Sequence, residues 1–99
     1  MADVRKIAFS ALYRVLFKDG YSALVLNSAI KENSLSRIDA SFLSHLVYGV
    51  LERKVLLDYV ISQYSKIKPK KIENKTLIIL ELGMFQLLFM DKVPSNSAV

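Results

Sequence analysis

The titratable side chains that could support catalysis are few and widely spaced in this sequence. The 99 residues include one histidine, His45, and no cysteine, which excludes a thiolate zinc site, a cysteine nucleophile and a disulfide framework. Three carboxylates, Asp39, Asp58 and Glu81, show no spacing that indicates an acid–base pair. No glycine-rich loop that could hold a phosphate or a cofactor is present. We therefore expect no catalytic, cofactor-binding or metal site in this chain, and we interpret His45 as a structural residue.

The side chains that could bind a polyanion are more numerous. Fourteen lysines and arginines against nine aspartates and glutamates give a formal net charge of +5 and a pI near 9.6. This balance suits an RNA partner, although many small basic proteins bind no polyanion. Three basic groups are candidates: Arg5, Lys6 and Arg14 near the N-terminus; Arg53 and Lys54, with Arg37 expected near them; and the lysines at positions 66, 68, 70, 71 and 75.

The first of these groups combines cations with aromatic rings. Lys6, Ser10 and Arg14 are spaced by four residues and therefore share one face of a helix, and Phe9 and Tyr13 are close by. RNA is held by phosphate contacts and base stacking, which this mixture of side chains offers. A solvated helix face with half-buried rings explains the same residues equally well. The lysine-rich group is typical of a solvated loop, although it would attract RNA without specificity.

Apolar residues recur at helical spacing through most of the chain, and three glycines and two prolines leave few turns for a sandwich or barrel. The pattern predicts an all-α protein of about five helices. Asp3 should cap the first helix, and Gly20 should end it in a left-handed conformation. Ser22 should cap the second helix, and a capping box at residues 36–39 should begin the third. The other predicted features are a break at 52–54, a connection at 66–71 and a last helix over about 72–90.

The last predicted helix is apolar on every side. Between residues 77 and 90 only Glu81, Gly83 and Gln86 are not apolar, and such a helix is expected to be buried on all sides at the centre of a bundle. A buried carboxylate needs a partner, so we expect Glu81 to form a structural ion pair with a lysine or arginine. Gly83, like Gly49 in the third helix, is expected to mark a close helix crossing, because glycine costs about 1 kcal/mol relative to alanine inside a helix.

The residues after position 90 predict further helical structure. Residues 91–94 should end the last helix, and residues 95–99 resemble the first turn of another. Because a central helix needs neighbours on every side, we expect the closing helices of the domain to be missing from these 99 residues. Part of the apolar surface of residues 77–90 should then be uncovered, which favours a homo-oligomer formed through it.

The sequence contains no signal for export or membrane insertion. Residues 1–6 are too polar for a signal peptide, and no stretch reaches the roughly 18 uncharged apolar residues that a membrane span requires. We therefore expect a cytoplasmic protein with no membrane partner.

Several segments of the chain resemble one known family. Residues 41–53, SFLSHLVYGVLER, are similar to the LVYGVLRR region of the bacterial ribosomal RNA small-subunit cytosine-5 methyltransferases of the RsmB (Sun/Fmu) family. Residues 80–94, LELGMFQLLFMDKVP, resemble that family's LRLGLYQLLFMDRIP segment. Residues 5–12 are similar to its R..A...L opening, and Leu57 and Asp58 to its LD pair. The resemblance thus covers almost the whole chain.

This resemblance implies that residues 1–99 form an all-helical domain with the fold of the transcription factor NusB. In the family this domain precedes a Rossmann-like catalytic domain that uses S-adenosylmethionine, and that domain and its catalytic cysteines are absent from these 99 residues. The resemblance therefore implies an accessory domain that is not itself catalytic, needs no cofactor, binds ribosomal RNA and docks to its own C-terminal catalytic domain. Because NusB-type domains use a basic first helix to bind RNA, it also favours RNA binding by Arg5, Lys6 and Arg14.

The chain departs from the family pattern at two positions, and other interpretations remain open. Glu81 stands where the family usually has arginine and Ala40 where arginine is common, so no phosphate contact at either position is carried over. One alternative is a free-standing transcription antitermination factor of the NusB type. Gln86 favours the methyltransferase, because NusB itself more often has glutamate after the aromatic residue. Another alternative is a helical protein-interaction module whose basic charge is incidental.

Overall fold

The computed structural model describes residues 3–90, which contain five α-helices, one short 3₁₀ helix and no strand. The elements are α1 (Val4–Phe17), α2 (Ser22–Glu32), α3 (Arg37–Glu52), α4 (Lys54–Tyr64), a 3₁₀ helix (Pro69–Lys71) and α5 (Asn74–Phe89). The prediction of an all-α protein with about five helices is therefore confirmed. The chain divides into two compact units, Met1–Gly49 and Val50–Val99. Within residues 3–90, no helix has both the length and the apolar composition that crossing a bilayer would require.

In the first unit, α1 and α2 pack against each other. Asp3 caps α1 as predicted, because its carboxylate accepts hydrogen bonds from the backbone N–H of Arg5 at 3.1 Å and of Lys6 at 3.4 Å. These bonds satisfy donors that the first turn of a helix leaves unpaired. The predicted cap of α3 is also present, since the Ser36 hydroxyl accepts a hydrogen bond from the backbone N–H of Asp39 at 3.2 Å. The inner face of α1 buries an apolar stripe, Val4, Ala8, Ala11 and Leu12.

The turn after α1 differs from the prediction. The residue in the left-handed region is Asp19, with φ of 57°, and not Gly20. Glycine is required at position 20 for space, because a Cβ there would lie 2.8 Å from Cγ2 of Val25 and 3.1 Å from the Arg14 carbonyl oxygen. The Gly20 N–H donates to that same oxygen at 2.9 Å. Close approach of the backbone to α2, rather than a positive φ, therefore explains this glycine.

The start of α2 also corrects a prediction. Ser22 is the first residue of the helix, Tyr21 occupies the capping position, and no side chain caps it. Because Ser22 already lies within the helix, its hydroxyl is not placed to bond the N–H groups of the next turn, as a capping side chain would be. The expected serine cap is therefore wrong.

In the second unit, α4 packs against α5 and against the 3₁₀ helix. The break predicted at 52–54 is confirmed, since α3 ends at Glu52 and α4 begins at Lys54. Proline at the first position of the 3₁₀ helix fixes its φ, which suits the start of a short helical turn. The buried apolar residues of α4 and α5 are Leu57, Ile61, Leu77, Ile78, Leu82 and Phe85.

Burial of α5 on all sides was expected, and this prediction is wrong. One face is buried, but Ile79 and Leu87 are 59% and 64% exposed, and Leu80 and Leu88 are exposed as well. Gly83 marks no close crossing, because a Cβ added there would meet nothing within 4 Å. The expectation of an uncovered apolar surface over residues 77–90 agrees with this exposure. The crossing at Gly49 stays a prediction, and the elements predicted over residues 91–99 lie outside the described residues.

Candidate nucleic-acid interface

A groove between α1 and α2 carries the basic face of α1. Lys6, Ser10 and Arg14 are exposed and line it together, as their spacing predicts. Glu32 and Asn33, at the end of α2, line it as well. The groove has a volume of about 280 Å³, and Lys6 and Arg14 lie about 12 Å apart along the helix axis at 1.5 Å per residue. Two cations at that separation can contact successive parts of one nucleic-acid backbone.

A second surface of the same unit forms around Phe42 of α3. The guanidinium of Arg5 lies over the Phe42 ring, 5.5 Å from its centroid. Phe42 also lines a shallow groove of about 480 Å³ with Arg37 and His45, both of which are exposed. Cation–π contacts at exposed sites contribute about 0.5–1 kcal/mol. The structure therefore brings Arg5 and Arg37 to one surface that offers charge and a planar stacking partner, both of which RNA uses.

The second predicted basic group is not a single cluster. Arg37 begins α3 and Arg53 follows its last residue, and an α-helix of 16 residues is about 24 Å long. The expectation that Arg37 lies near Arg53 and Lys54 is therefore wrong. The Arg53 guanidinium lies 4.5 Å from the centroid of the Phe89 ring and 3.8 Å from Glu52, while 41% of its side chain stays exposed.

Lys54 is directed toward the carboxylates of the second unit. Its Nζ donates to Oδ2 of Asp58 at 2.8 Å and to Oε2 of Glu81 at 3.0 Å. The Glu81 side chain is fully buried, whereas about a third of the Lys54 side chain is exposed. The prediction that the buried Glu81 has a lysine or arginine partner is confirmed by this contact. Because Lys54 joins α4 to α5, we assign it to stability and leave it out of the candidate RNA-binding surface.

The cluster of Lys54, Asp58 and Glu81 holds two carboxyl groups and one ammonium. Burial raises the pKa of Glu81 from 4.5 to about 8; the neighbouring Asp58 carboxyl group acts in the same direction, and Lys54 opposes it. Burial lowers the pKa of Lys54, but its hydrogen bonds to both carboxyl groups outweigh that effect and raise it. Oδ1 of Asp58 and Oε1 of Glu81 are buried without a hydrogen-bond partner. One proton between these two oxygens would satisfy both and leave the cluster neutral.

Exposed cations beside aromatic rings are suited to binding a nucleic acid. Residues 3–90 contain no group of three or more His, Cys, Asp or Glu side chains that could hold a metal ion. The residue that sequence reasoning missed is Phe42, which contacts Arg5 and lines a groove together with Arg37. The sequence near Phe42 shows only that an aromatic residue lies in the first half of α3. It could not predict the contact with Arg5, because the two residues are far apart in the chain.

Comparison with known proteins places the chain among two kinds of relative. The model of the NusB family matches residues 2–99. The chain is 36% identical over 97 residues to the probable ribosomal RNA small subunit methyltransferase B of Bacillus subtilis. The matched region covers 98% of the chain and 22% of that protein. The Synechocystis protein of the same name is 33% identical over 99 residues, again with 22% of its length covered. The chain therefore spans about a fifth of these relatives.

Shorter relatives match over more of their length. The transcription antitermination protein NusB of Bacillus velezensis is 31% identical over 93 residues, which cover 93% of the chain and 72% of that protein. No solved structure matches the chain significantly.

Proposed function

The chain belongs to the NusB family, and we propose that it is the RNA-binding accessory domain of an S-adenosylmethionine-dependent ribosomal RNA cytosine-5 methyltransferase. Its role is to hold ribosomal RNA in the cytoplasm while a separate domain methylates a cytosine. Binding of S-adenosylmethionine and the chemical step belong to that separate domain. The contribution of this chain is to orient the substrate, which lowers the entropic part of the barrier.

The observation that carries this proposal is the row of exposed polar side chains in the α1–α2 groove. Lys6 and Arg14 supply two cations and Ser10 a hydroxyl between them, all along one groove. Arg5 and Arg37 extend the positive surface of the same unit around Phe42. Phosphate contacts from such residues dominate the affinity of proteins for nucleic acids and make it depend on salt. Arg53, exposed beside Phe89, is a further candidate contact in the second unit.

The test compares two double variants of equal charge. Lys6→Gln with Arg14→Gln removes both cations from the groove, and Lys18→Gln with Lys31→Gln removes two cations of the first unit that do not line it. Binding to a small-subunit ribosomal RNA fragment is measured by fluorescence anisotropy over a range of salt concentrations. We expect the groove variant to reduce the salt slope by about 1.4 to 1.8, for two phosphate contacts, and the control to change it much less. Equal effects of both variants, or no RNA affinity at low salt in the chain and in the full-length protein, would refute the proposal.

A free-standing antitermination factor of the NusB type is the second candidate. This candidate is favoured by the relatives named transcription antitermination protein NusB. The match to one of them covers 72% of its length. Sequencing the gene beyond codon 99 distinguishes the two. A long reading frame for a cytosine methyltransferase supports the enzyme, and an early stop codon supports the antitermination factor.

The exposed apolar face of α5 is the proposed contact with the catalytic domain or, in this chain by itself, with a second copy. Its exposed residues include Ile79 and Leu87, and exposed apolar patches promote association. Light scattering should show that the chain forms a dimer. Leu87→Glu should dissociate this dimer. The control, Lys75→Glu, changes an exposed position near the start of α5 and should leave the dimer intact. A monomer at high concentration would exclude the homo-oligomer.

A further inference from the structure

A groove in the second unit lies between α4 and the 3₁₀ helix, and none of its lining residues is among those assigned above to RNA binding. It has a volume of about 550 Å³ and opens to solvent. One side is formed by α4, whose residues 55, 59 and 62 recur at helical spacing. The other side is the turn that carries the lysine-rich group. Its lining residues are Val55, Asp58, Tyr59, Ser62, Lys68, Pro69 and Lys70.

Tyr59 gives this groove an aromatic surface. The side chain is 61% exposed although it lies at the middle of a helix that packs on both α5 and the 3₁₀ helix. Beside it, the Ser62 hydroxyl donates to the Tyr59 carbonyl oxygen at 2.6 Å, so the donor of this serine is used within α4. An exposed ring on a rigid helix, in an open groove, can stack on a planar ligand with little loss of conformational entropy.

The charges around Tyr59 select an anionic ligand. Lys68 and Lys70 are exposed and frame the half-buried Pro69, whose ring fixes φ at the start of the 3₁₀ helix. Neither ammonium forms an ion pair within residues 3–90. Asp58 also lines the groove, but its Oδ2 accepts a hydrogen bond from Lys54 at 2.8 Å, which offsets its charge. The groove therefore presents two positive charges beside one exposed ring.

We propose that this groove binds a single-stranded RNA segment, with one base stacked on Tyr59 and the adjacent phosphates held by Lys68 and Lys70. A duplex is excluded as the preferred ligand, because its bases are stacked on one another and cannot reach the tyrosine ring. A free nucleotide would leave much of an open groove of this size unfilled, whereas a strand can pass along it. The inference rests on the proposed RNA-binding function and adds a second contact, in the other unit, that favours unpaired bases.

The experiment measures the affinity of the 99-residue chain for a labelled, unstructured RNA oligonucleotide and for a duplex of the same sequence. Tyr59→Leu removes the ring, Tyr59→Phe keeps it, and Tyr64→Leu is the control, since Tyr64 is 84% exposed on α4 and does not line the groove. Lys68→Gln with Lys70→Gln is compared with Lys66→Gln and Lys71→Gln, which remove the same charge from the same turn outside the groove. Circular dichroism checks that each variant is folded.

We expect Tyr59→Leu to weaken single-strand binding about ten-fold, because stacking on an aromatic residue contributes about 1–3 kcal/mol per base. Tyr59→Phe and Tyr64→Leu should stay within about two-fold of the parent. The change at Lys68 and Lys70 should lower the salt slope for single strands by about 1.4, at about 0.7 per phosphate contact. Photocrosslinking of a 4-thiouridine oligonucleotide to the parent chain should place the adduct at or beside Tyr59, a result that depends on no variant.

Other outcomes overturn the inference. If Tyr59→Leu binds single strands as the parent does while the Lys6 and Arg14 variant weakens binding, this groove is not an RNA contact and the proposed function still stands. If the parent binds no RNA, both fail. Competition by polyglutamate as effective as that by RNA would assign the groove to an acidic protein segment instead. If both lysine double variants lose the same affinity, the effect would come from the overall charge of the turn and not from binding in this groove.

Discussion

Replacing Glu81 by glutamine should change how the stability of the protein depends on pH. Glu81 is fully buried, and its pKa is raised from 4.5 to about 8. Because the pKa is higher in the folded state than in the unfolded state, the folded protein holds a proton that the unfolded chain releases. The associated stability is fully present below pH 4.5 and is lost as the pH rises toward and through 8.

The magnitude follows from the size of the pKa shift. One pKa unit corresponds to about 1.36 kcal/mol. The parent should therefore lose roughly 3 kcal/mol of unfolding free energy between pH 4.5 and pH 7. Once the pH exceeds 8, the total loss should reach an upper bound of about 5 kcal/mol. Glutamine has nearly the shape of protonated glutamate and does not titrate. Its amide can donate to Oδ1 of Asp58 and its oxygen can accept from Lys54. Glu81→Gln should therefore match the parent near pH 5 and become progressively more stable than the parent above it.

The assay is urea unfolding followed by circular dichroism for the parent and for Glu81→Gln, at several values between about pH 5 and about pH 8. Glu52→Gln is the control, since Glu52 is 72% exposed and lies 3.8 Å from Arg53, and its difference from the parent should stay nearly constant. A constant difference between Glu81→Gln and the parent would show that Glu81 does not change protonation in this range. A parent that becomes relatively more stable as the pH rises would show that Lys54 keeps Glu81 ionised, and the reasoning would be wrong.

Further predictions concern individual contacts, each measured by urea or thermal unfolding. Gly20→Ala should destabilise the protein by about 1–3 kcal/mol, because its Cβ would lie 2.8 Å from Val25; no loss of stability would show that the turn relaxes. Gly83→Ala should stabilise it by about 1 kcal/mol, since the added Cβ meets nothing within 4 Å in the interior of α5, and a loss would reveal a contact at that face. Asp3→Ala should cost about 1 kcal/mol by removing the cap of α1, with Asp3→Asn as the variant that retains it. Lys54→Met should cost about 3 kcal/mol above pH 8, where both carboxylates lose their cation, and less near pH 5.

The sequence predicted all five helices, but it predicted the buried face only for the helices with one apolar stripe. In α1 the buried residues follow the stripe, and the break before α4 falls where the pattern changes. Residues 77–90 are apolar on nearly every side, so the sequence contains no period that says which face of α5 is buried. Burial of Ile78 and exposure of Ile79 are decided by where α4 packs. Because the sequence does not indicate which face of α5 is buried, it also could not show that Gly83 lies outside any close helix crossing.

The candidate site was predictable only where it is local. The spacing of Lys6, Ser10 and Arg14 is a property of one helix, and these residues do share a groove. The contact of Arg5 with Phe42 joins residues 37 positions apart and depends on tertiary packing. Glu81 was expected to find a basic partner, but nothing in the sequence selects Lys54, which is 27 residues away.

The buried cluster should also affect the RNA binding proposed for the second unit. With one proton on Glu81, the charges of Lys54 and Asp58 cancel, and the cluster adds no net field at the surface of α4. The positive charge exposed to solvent at this surface is that of the lysine-rich turn, which the sequence analysis interpreted as a solvated loop. Ionising Glu81 would add a negative charge to the helix that carries Phe85 and Phe89, and repel phosphates from the same unit. RNA affinity of the parent should therefore fall more steeply between about pH 7 and about pH 9 than that of Glu81→Gln, and parallel profiles would show that the cluster acts on stability alone.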